Sequence, residues 1–312
     1  MKKYLALFIV MSAVLGVSAE EKPVRAGILN GPSAVPVAFM MDRNSGHEVE
    51  FSKFSEPQAL LPKMLRNEID VGFFPVNVAA KVYNTTAGAV VCAAVTGNGN
   101  LVLLTKDRSL SGLEQLSGKT VSVAGQGATP EYMFKKLLSE NNVYGVTLDF
   151  SVPTAGIAAA LISGKVKYAV LPEPFASVAE LKSKDVFRAV DFQEEYERIA
   201  GSGGNFPLTL LVARRDFVAE SPERMNMFME ELRDSIGRTV KNPVEAGRLN
   251  EKYGLGLKAG AVSFSVPKSN FVFIPADEAR VQIETLISIF LDYDGASVGG
   301  KLPDDGFYWR AD

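Results

Sequence analysis

The chain has 312 residues, 33 of them basic and 36 acidic, for a formal net charge of −3. Hydrophobic residues make up 47% and charged residues 22%, which fits a folded globular chain of roughly two domains and excludes a disordered one. A mildly acidic surface argues against a nucleic-acid partner, whose phosphates need a basic face.

The first three residues, Met1-Lys2-Lys3, are basic. An apolar run over 4–17 follows, and Val17-Ser18-Ala19 places small residues at the cleavage positions. Residues 1–19 therefore read as a secretory signal peptide cut before Glu20. The run is shorter than the ~20 apolar residues a spanning helix needs. No cysteine lies near the cut, so no lipid anchor is expected. Without Lys2 and Lys3 the chain carries 31 basic against 36 acidic residues, a net of −5. An exported, soluble chain has no ready supply of ATP, nicotinamide or coenzyme A. That favours capture or transport.

From residue 24 the pattern alternates short apolar strands with amphipathic helices. Strands are predicted over 24–29, 48–54 and 70–74, with helices ending at Met41 and spanning 56–67 and 76–83. Leu60, Leu61, Met64 and Leu65 share one face of the second helix. Strands over 89–95 and 101–105 follow. The sole cysteine, Cys92, sits in the apolar run 89–95 and reads as a core residue, so no intrachain disulfide forms. The sole histidine, His47, leaves almost no material for a histidine zinc site or a Ser-His-Asp triad. No metal site, cofactor or catalytic residue is expected.

The rhythm then restarts, with strands over 119–124, 147–152 and 167–171 and helices over 129–139, 156–163 and 175–182. A gap-free shift of 97 residues places Val24 on Val121, Leu60 on Ile157 and Pro75 on Pro172. Identity is low, so the safer inference is two lobes of one plan. A glycine-rich segment, 201–205, leads to a strand over 208–213. Ser221-Pro222 starts a helix with Met225, Phe228, Met229, Leu232 and Ile236 on one face. A last helix spans 276–293. These late elements hold few strands, so they are expected to return to the first lobe. The expected division is 20–105 and 208–312 for lobe I and 106–207 for lobe II. The chain would cross near 104–108 and near 205–208, and two crossings make a hinge.

In parallel α/β sheets ligands bind beyond the carboxyl ends of the strands, at helix N-termini. Four loops occupy such places: Asn30 to Ser33, Gly125 to Pro130, Phe74 to Asn77 and Leu171 to Phe175. The glycines of the second let backbone N–H groups approach a ligand, and a tight strand-to-helix turn explains them equally well. It is neither a P-loop nor a dinucleotide fingerprint. Glu173 either caps the helix after it or meets a ligand amine.

The segments LRNEIDVGFFPVNVAAK (65–81), GKTVSVAGQGATPEY (118–132), LPEPFAS (171–177) and LVARRDF (211–217) resemble the nitrate/sulfonate/taurine type of ABC-transporter periplasmic solute-binding protein. That group includes binders of thiamine-pyrimidine precursors. The resemblance covers nearly the whole mature chain, in order. It implies an α/β fold of the two-lobed periplasmic-binding-protein type II, each lobe a mostly parallel sheet flanked by helices. It implies a monomeric periplasmic receptor that closes on a small solute and delivers it to an ABC permease and its ATPase. By similarity, the ligand contacts fall at Gly31, Pro32, Ser33, Asn77, Gln126, Gly127, Ala128, Thr129, Glu173 and Asn205, with Gly125 beside them. None of the four loops carries Lys or Arg. A sulfonate would rest on amides, helix N-termini and the Ser33 or Thr129 hydroxyl. A neutral or weakly basic heterocycle paired with Glu173 and stacked on a phenylalanine fits as well.

Enzymes on the same architecture rank second: fungal thiamine-pyrimidine synthases and menaquinone-pathway enzymes. The synthases carry a cysteine-rich iron motif that a single cysteine contradicts, and both groups work inside the cell. A ligand-free sensor module of the same fold is a third reading.

Overall fold

The computed structural model describes residues 22–43 and 48–310. The expected signal peptide and His47 lie outside the described residues. Strand β1 (Val24–Leu29) lies between β2 (Val49–Phe54) and β3 (Val71–Pro75), and both pairings are parallel. Residues 71–74 of β3 are all buried, as a continuous apolar run in a covered sheet should be. Strand β4 (Val90–Asn98) is buried along its whole length and contains Cys92. The helices Pro57–Leu65 and Val76–Thr85 connect these strands. Each follows a proline-marked boundary that halts the strand or starts the helix.

Next come β5 (Leu101–Thr105), β6 (Thr120–Val123), β7 (Thr147–Asp149), β8 (Tyr168–Pro172) and β9 (Phe187–Asp191). The last two strands are β10 (Pro207–Arg214) and β11 (Phe271–Pro275). One sheet has the order β11-β4-β10-β3-β1-β2 and the other β7-β6-β8-β5-β9. The two-lobe expectation holds, and so does the 97-residue offset. It carries Pro32 to Thr129, Pro57 to Thr154 and Val71 to Tyr168, each the first residue of a corresponding element.

Most strands of each sheet run one way, as expected, with antiparallel strands inserted among them, and one expectation needs correction. β10 runs antiparallel to both β3 and β4, and β5 runs antiparallel to both β8 and β9. Each of these strands enters from the opposite lobe and is inserted against its neighbours' direction. For the same reason Leu101–Thr105 belongs to the second lobe's sheet and does not close the first lobe. The first crossing is Gly99-Asn100, and the second runs from Gly201 to Phe206.

The two crossings touch. A Cβ on Gly99 would lie 2.5 Å from the Phe206 ring and 2.6 Å from Gln193 Oε1, so only glycine allows this approach. The helix Arg280–Asp294 does more than return to the first lobe. Its Phe290 packs edge-on against Tyr132 of the second-lobe helix Thr129–Glu140, with ring centroids 5.0 Å apart. One buried apolar cluster consequently runs through both lobes, from Leu60 and Val76 to Phe290, Phe134 and Val121. Ser221 stands at the N-cap before Pro222 as expected, without a side-chain capping bond.

Candidate functional site

The loop after β1 turns at Gly31, whose φ of 110° suits glycine. Pro32 then opens a 3-10 turn, Pro32–Val37, ahead of the short α-helix Ala38–Arg43. The Gly31 N–H donates to Leu255 O at 2.9 Å, and the Ser33 hydroxyl donates to Leu29 O at 3.3 Å. The returning segment around Gly256 presses on this loop and takes up the amide that the sequence reading reserved for a ligand. The Ser33 oxygen keeps acceptor capacity.

The loop after β6 turns on two glycines, Gly125 and Gly127, each with φ of 71°. Gln126 is exposed, Ala128 half-buried and Thr129 buried as the first helical residue. The Gly127 N–H donates to Glu131 Oε2 at 2.7 Å. The other Glu131 oxygen pairs with Lys135 one turn on. Glu131 is 7% exposed. A carboxylate three residues into a helix that reaches back to an orphan amide is a variant of the capping box. It fills the place an anion would otherwise take.

Asn77 is the second residue of the helix Val76–Thr85, just past Pro75. Its Oδ1 is buried and has no hydrogen-bond partner. Asn77 and Gly127, from opposite lobes, line one cavity of about 420 Å³. Gln58, Lys81, Asp294 and Ser297 complete its polar wall. Asn77 and Lys81 are four residues apart and so share a helix face. Above the wall, the buried Tyr132 hydroxyl donates to Asp294 Oδ2 at 3.3 Å, and its ring stacks on Tyr293 at 5.8 Å. Burial and the neighbouring Asp294 and Glu131 charges push the Tyr132 phenol up to about 12. It stays a neutral donor at any ordinary pH.

Glu173 sits apart from this cavity's lining. It is 1% exposed. One oxygen accepts the Ser177 N–H at 3.1 Å, closing the start of the helix Phe175–Lys182, and the other pairs with Arg188 of β9. Arg188 also bonds Glu180 at 3.0 Å, and Lys268 from the first lobe reaches the same carboxylate at 3.1 Å. Burial pulls the Glu180 carboxyl upward, but hydrogen bonds from Arg188 and Lys268 outweigh it and hold it below the usual range. Of the two readings of Glu173, the geometry favours the cap. Asn205 lies on the second crossing, where its side-chain N–H donates to Gly203 O at 3.2 Å.

Asn77 and Gly127 are thus brought together. The remaining expected contacts, Gly31, Pro32, Ser33, Gln126, Ala128, Thr129, Glu173 and Asn205, do not line that cavity. Sequence reasoning missed Gln58, Lys81, Glu131, Asp294 and Ser297. Only Glu131 carried a local signal, an acidic residue in the first turn of a helix opened by Thr129-Pro130. Among the described residues no group of three or more His, Cys, Asp or Glu is placed to hold a metal ion, and no helix is long and apolar enough to cross a membrane. Cys92 is fully buried, which pushes its thiol far above the reactive range.

A family model described as menaquinone biosynthesis matches residues 24–258. No curated protein matches the chain. Among solved structures, an ABC transporter protein from Parabacteroides distasonis is similar at 23% identity, with 94% of this chain and 100% of that one covered and a TM-score of 0.79. The periplasmic aliphatic sulphonate binding protein of Escherichia coli is similar at 15% identity over 94% of this chain and 93% of that one, with a TM-score of 0.74. The periplasmic nitrate-binding protein of Synechocystis PCC 6803 is similar at 12% identity over 88% and 82%, with a TM-score of 0.65. These likenesses bear out the two-lobed periplasmic-binding-protein fold. At such identities they speak for the fold alone. The matching family model describes the group that ranked second on sequence grounds.

Proposed function

The chain belongs to the menaquinone-biosynthesis family and has the fold of periplasmic binding proteins, and we propose that it captures a small organic solute between its lobes. The observation that carries this reading is the cavity of about 420 Å³ to which both lobes contribute, through Asn77 and Gly127. Concave, partly apolar spaces of this size between lobes suit small ligands. A solute that touches both walls binds the closed arrangement more tightly than the open one, so it shifts the equilibrium toward closure. In its full form the proposal has the chain exported, cut before Glu20 and free in the periplasm as a monomer without lipid or cofactor. It hands its solute to an ABC permease and the ATPase behind it.

A thermal-shift screen of the mature chain tests capture. A solute at a hundredfold over its dissociation constant stabilises by about 2.7 kcal/mol. Asn77→Leu should abolish the shift while leaving the fold intact. A screen of sulfonates, nitrate, pyrimidines, flavins and amino acids that shifts nothing would count against the reading.

Family membership supports a second reading, an enzyme on this fold acting on a menaquinone precursor. Mass spectrometry separates the two. A solute recovered unchanged after prolonged incubation with the protein supports capture, and a converted product supports the enzyme.

A further inference from the structure

We propose that the Lys268–Glu180 ion pair is a breakable clasp between the lobes, which sets how often the empty protein opens. This goes beyond the capture proposed above and needs no solute.

Among the described residues it is the only ion pair that joins the two lobes. Lys268 ends the 3-10 turn Val266–Lys268 of the first lobe, and Glu180 lies in the helix Phe175–Lys182 of the second. Each member is held ready on its own side. The Lys268 ammonium sits 3.9 Å from the ring centre of Phe264, in the helix Ala259–Ser265. The next two residues are tied to the first crossing. Asn100 Nδ2 donates to Ser269 O at 3.2 Å, and Asn270 Nδ2 donates to Gly99 O at 3.2 Å. In the second lobe Arg188 donates to Glu180 Oε2 from two nitrogens, at 3.0 and 2.9 Å, and is itself held by the buried Glu173. Lys268 reaches the same Glu180 oxygen at 3.1 Å.

The shared oxygen is what makes the pair separable. A pair inside a core strands a charge when it parts, and parting is then costly. Rotation about the crossings carries Lys268 with the first lobe and Glu180 with the second. After that separation Glu180 keeps Arg188, and Lys268 keeps the Phe264 ring. The two side chains are 32% and 20% exposed, so water reaches both. Pairs of this kind change an equilibrium by about two- to fivefold. That biases a hinge without locking it.

Single-molecule energy transfer on the unliganded mature chain tests the clasp. Dyes are placed through Val244→Cys and Tyr144→Cys, at positions 77% and 69% exposed on opposite lobes. Cys92 is buried and stays unlabelled. In dilute buffer Lys268→Met, which keeps the apolar stem, should raise the ratio of open to closed molecules about two- to fivefold. High salt should raise it in the wild type and add little in the variant. Glu180→Gln should match Lys268→Met, and the double variant should open no further, since both remove one interaction. A merely structural role for Lys268 moves the urea midpoint and leaves the energy-transfer ratio alone. A ratio unmoved by Lys268→Met would overturn the proposal, as would single effects that add in full in the double variant. If Lys268→Met does not fold, Glu180→Gln and the wild-type salt series decide, and no change in either overturns it. A solute screen that finds nothing counts against capture and leaves this measurement standing.

Discussion

Replacing Arg188 by methionine removes the partner of a carboxylate with no solvent access. The Glu173 side chain is 0% exposed and that of Arg188 20%. Taking one member from a buried pair costs about 3–5 kcal/mol, because the remaining charge is desolvated without compensation. The structure places Arg188→Met at the lower end of that range, about 3 kcal/mol. Glu173 keeps the Ser177 N–H, and Glu180 keeps Lys268. Urea unfolding followed by circular dichroism measures the loss. The double variant Glu173→Gln/Arg188→Met should recover most of it, since a neutral amide can keep the helix cap without an unpaired charge. Solute capture should survive in the double variant, as Glu173 does not line the shared cavity. A loss below about 1 kcal/mol for Arg188→Met would refute the buried-pair account. Abolished capture in a stable double variant would return Glu173 to the ligand.

Three further perturbations probe the hinge, the interlobe contact and the base of the first lobe. Gly99→Ala drives a methyl into the Phe206 ring and Gln193 Oε1, and should cost about 1–3 kcal/mol in thermal unfolding; an unchanged midpoint would mean the crossings are looser than drawn. Tyr132→Leu keeps apolar bulk but loses the contacts to Phe290 and Tyr293, worth about 0.5–1.5 kcal/mol each. It should open the lobes, which small-angle scattering reads as a larger radius and stopped-flow as faster solute release. Asp70 is pulled up by burial, but hydrogen bonds from Arg25 and Arg214 outweigh that and hold its carboxyl below the ordinary 3.8. A lowered folded-state value means that its stabilisation is present above pH 3.8 and is lost as pH falls through the folded value. Asp70→Asn should therefore cost about 3 kcal/mol near neutrality and lose its disadvantage in acid, and a deficit that persists unchanged at pH 2 would contradict this.

The parallel trios β2-β1-β3 and β7-β6-β8 were legible because each strand is a bounded apolar run followed by a patterned helix. The crossings were not. The residues Leu101 to Thr105 read as a buried strand in either lobe, and only pairing with Tyr168–Pro172 and Phe187–Asp191, both later in the chain, assigns them. The same limit governs the site. Asn77 and Gly127 were found because proline and glycine mark their loops. Asp294 and Ser297 reach the cavity from the far end of the chain, with no local signal. The Glu173–Arg188 pair joins β9 to the loop after β8 across the intervening β5, so no local pattern announces it.

The internal repeat turns these particulars into an argument about charge. The 97-residue offset that aligns the lobes takes Ala34 to Glu131 and Val76 to Glu173. At equivalent helix starts the first lobe thus carries apolar residues and the second carries buried carboxylates, each bonded to a backbone N–H of its own chain. Two lobes of one plan are expected to offer two similar anion-favouring helix termini. Here the second lobe has cancelled both of the termini compared. Substituting Glu131 should therefore release the Gly127 amide at that helix start, whereas changes at Ala34 should alter packing alone.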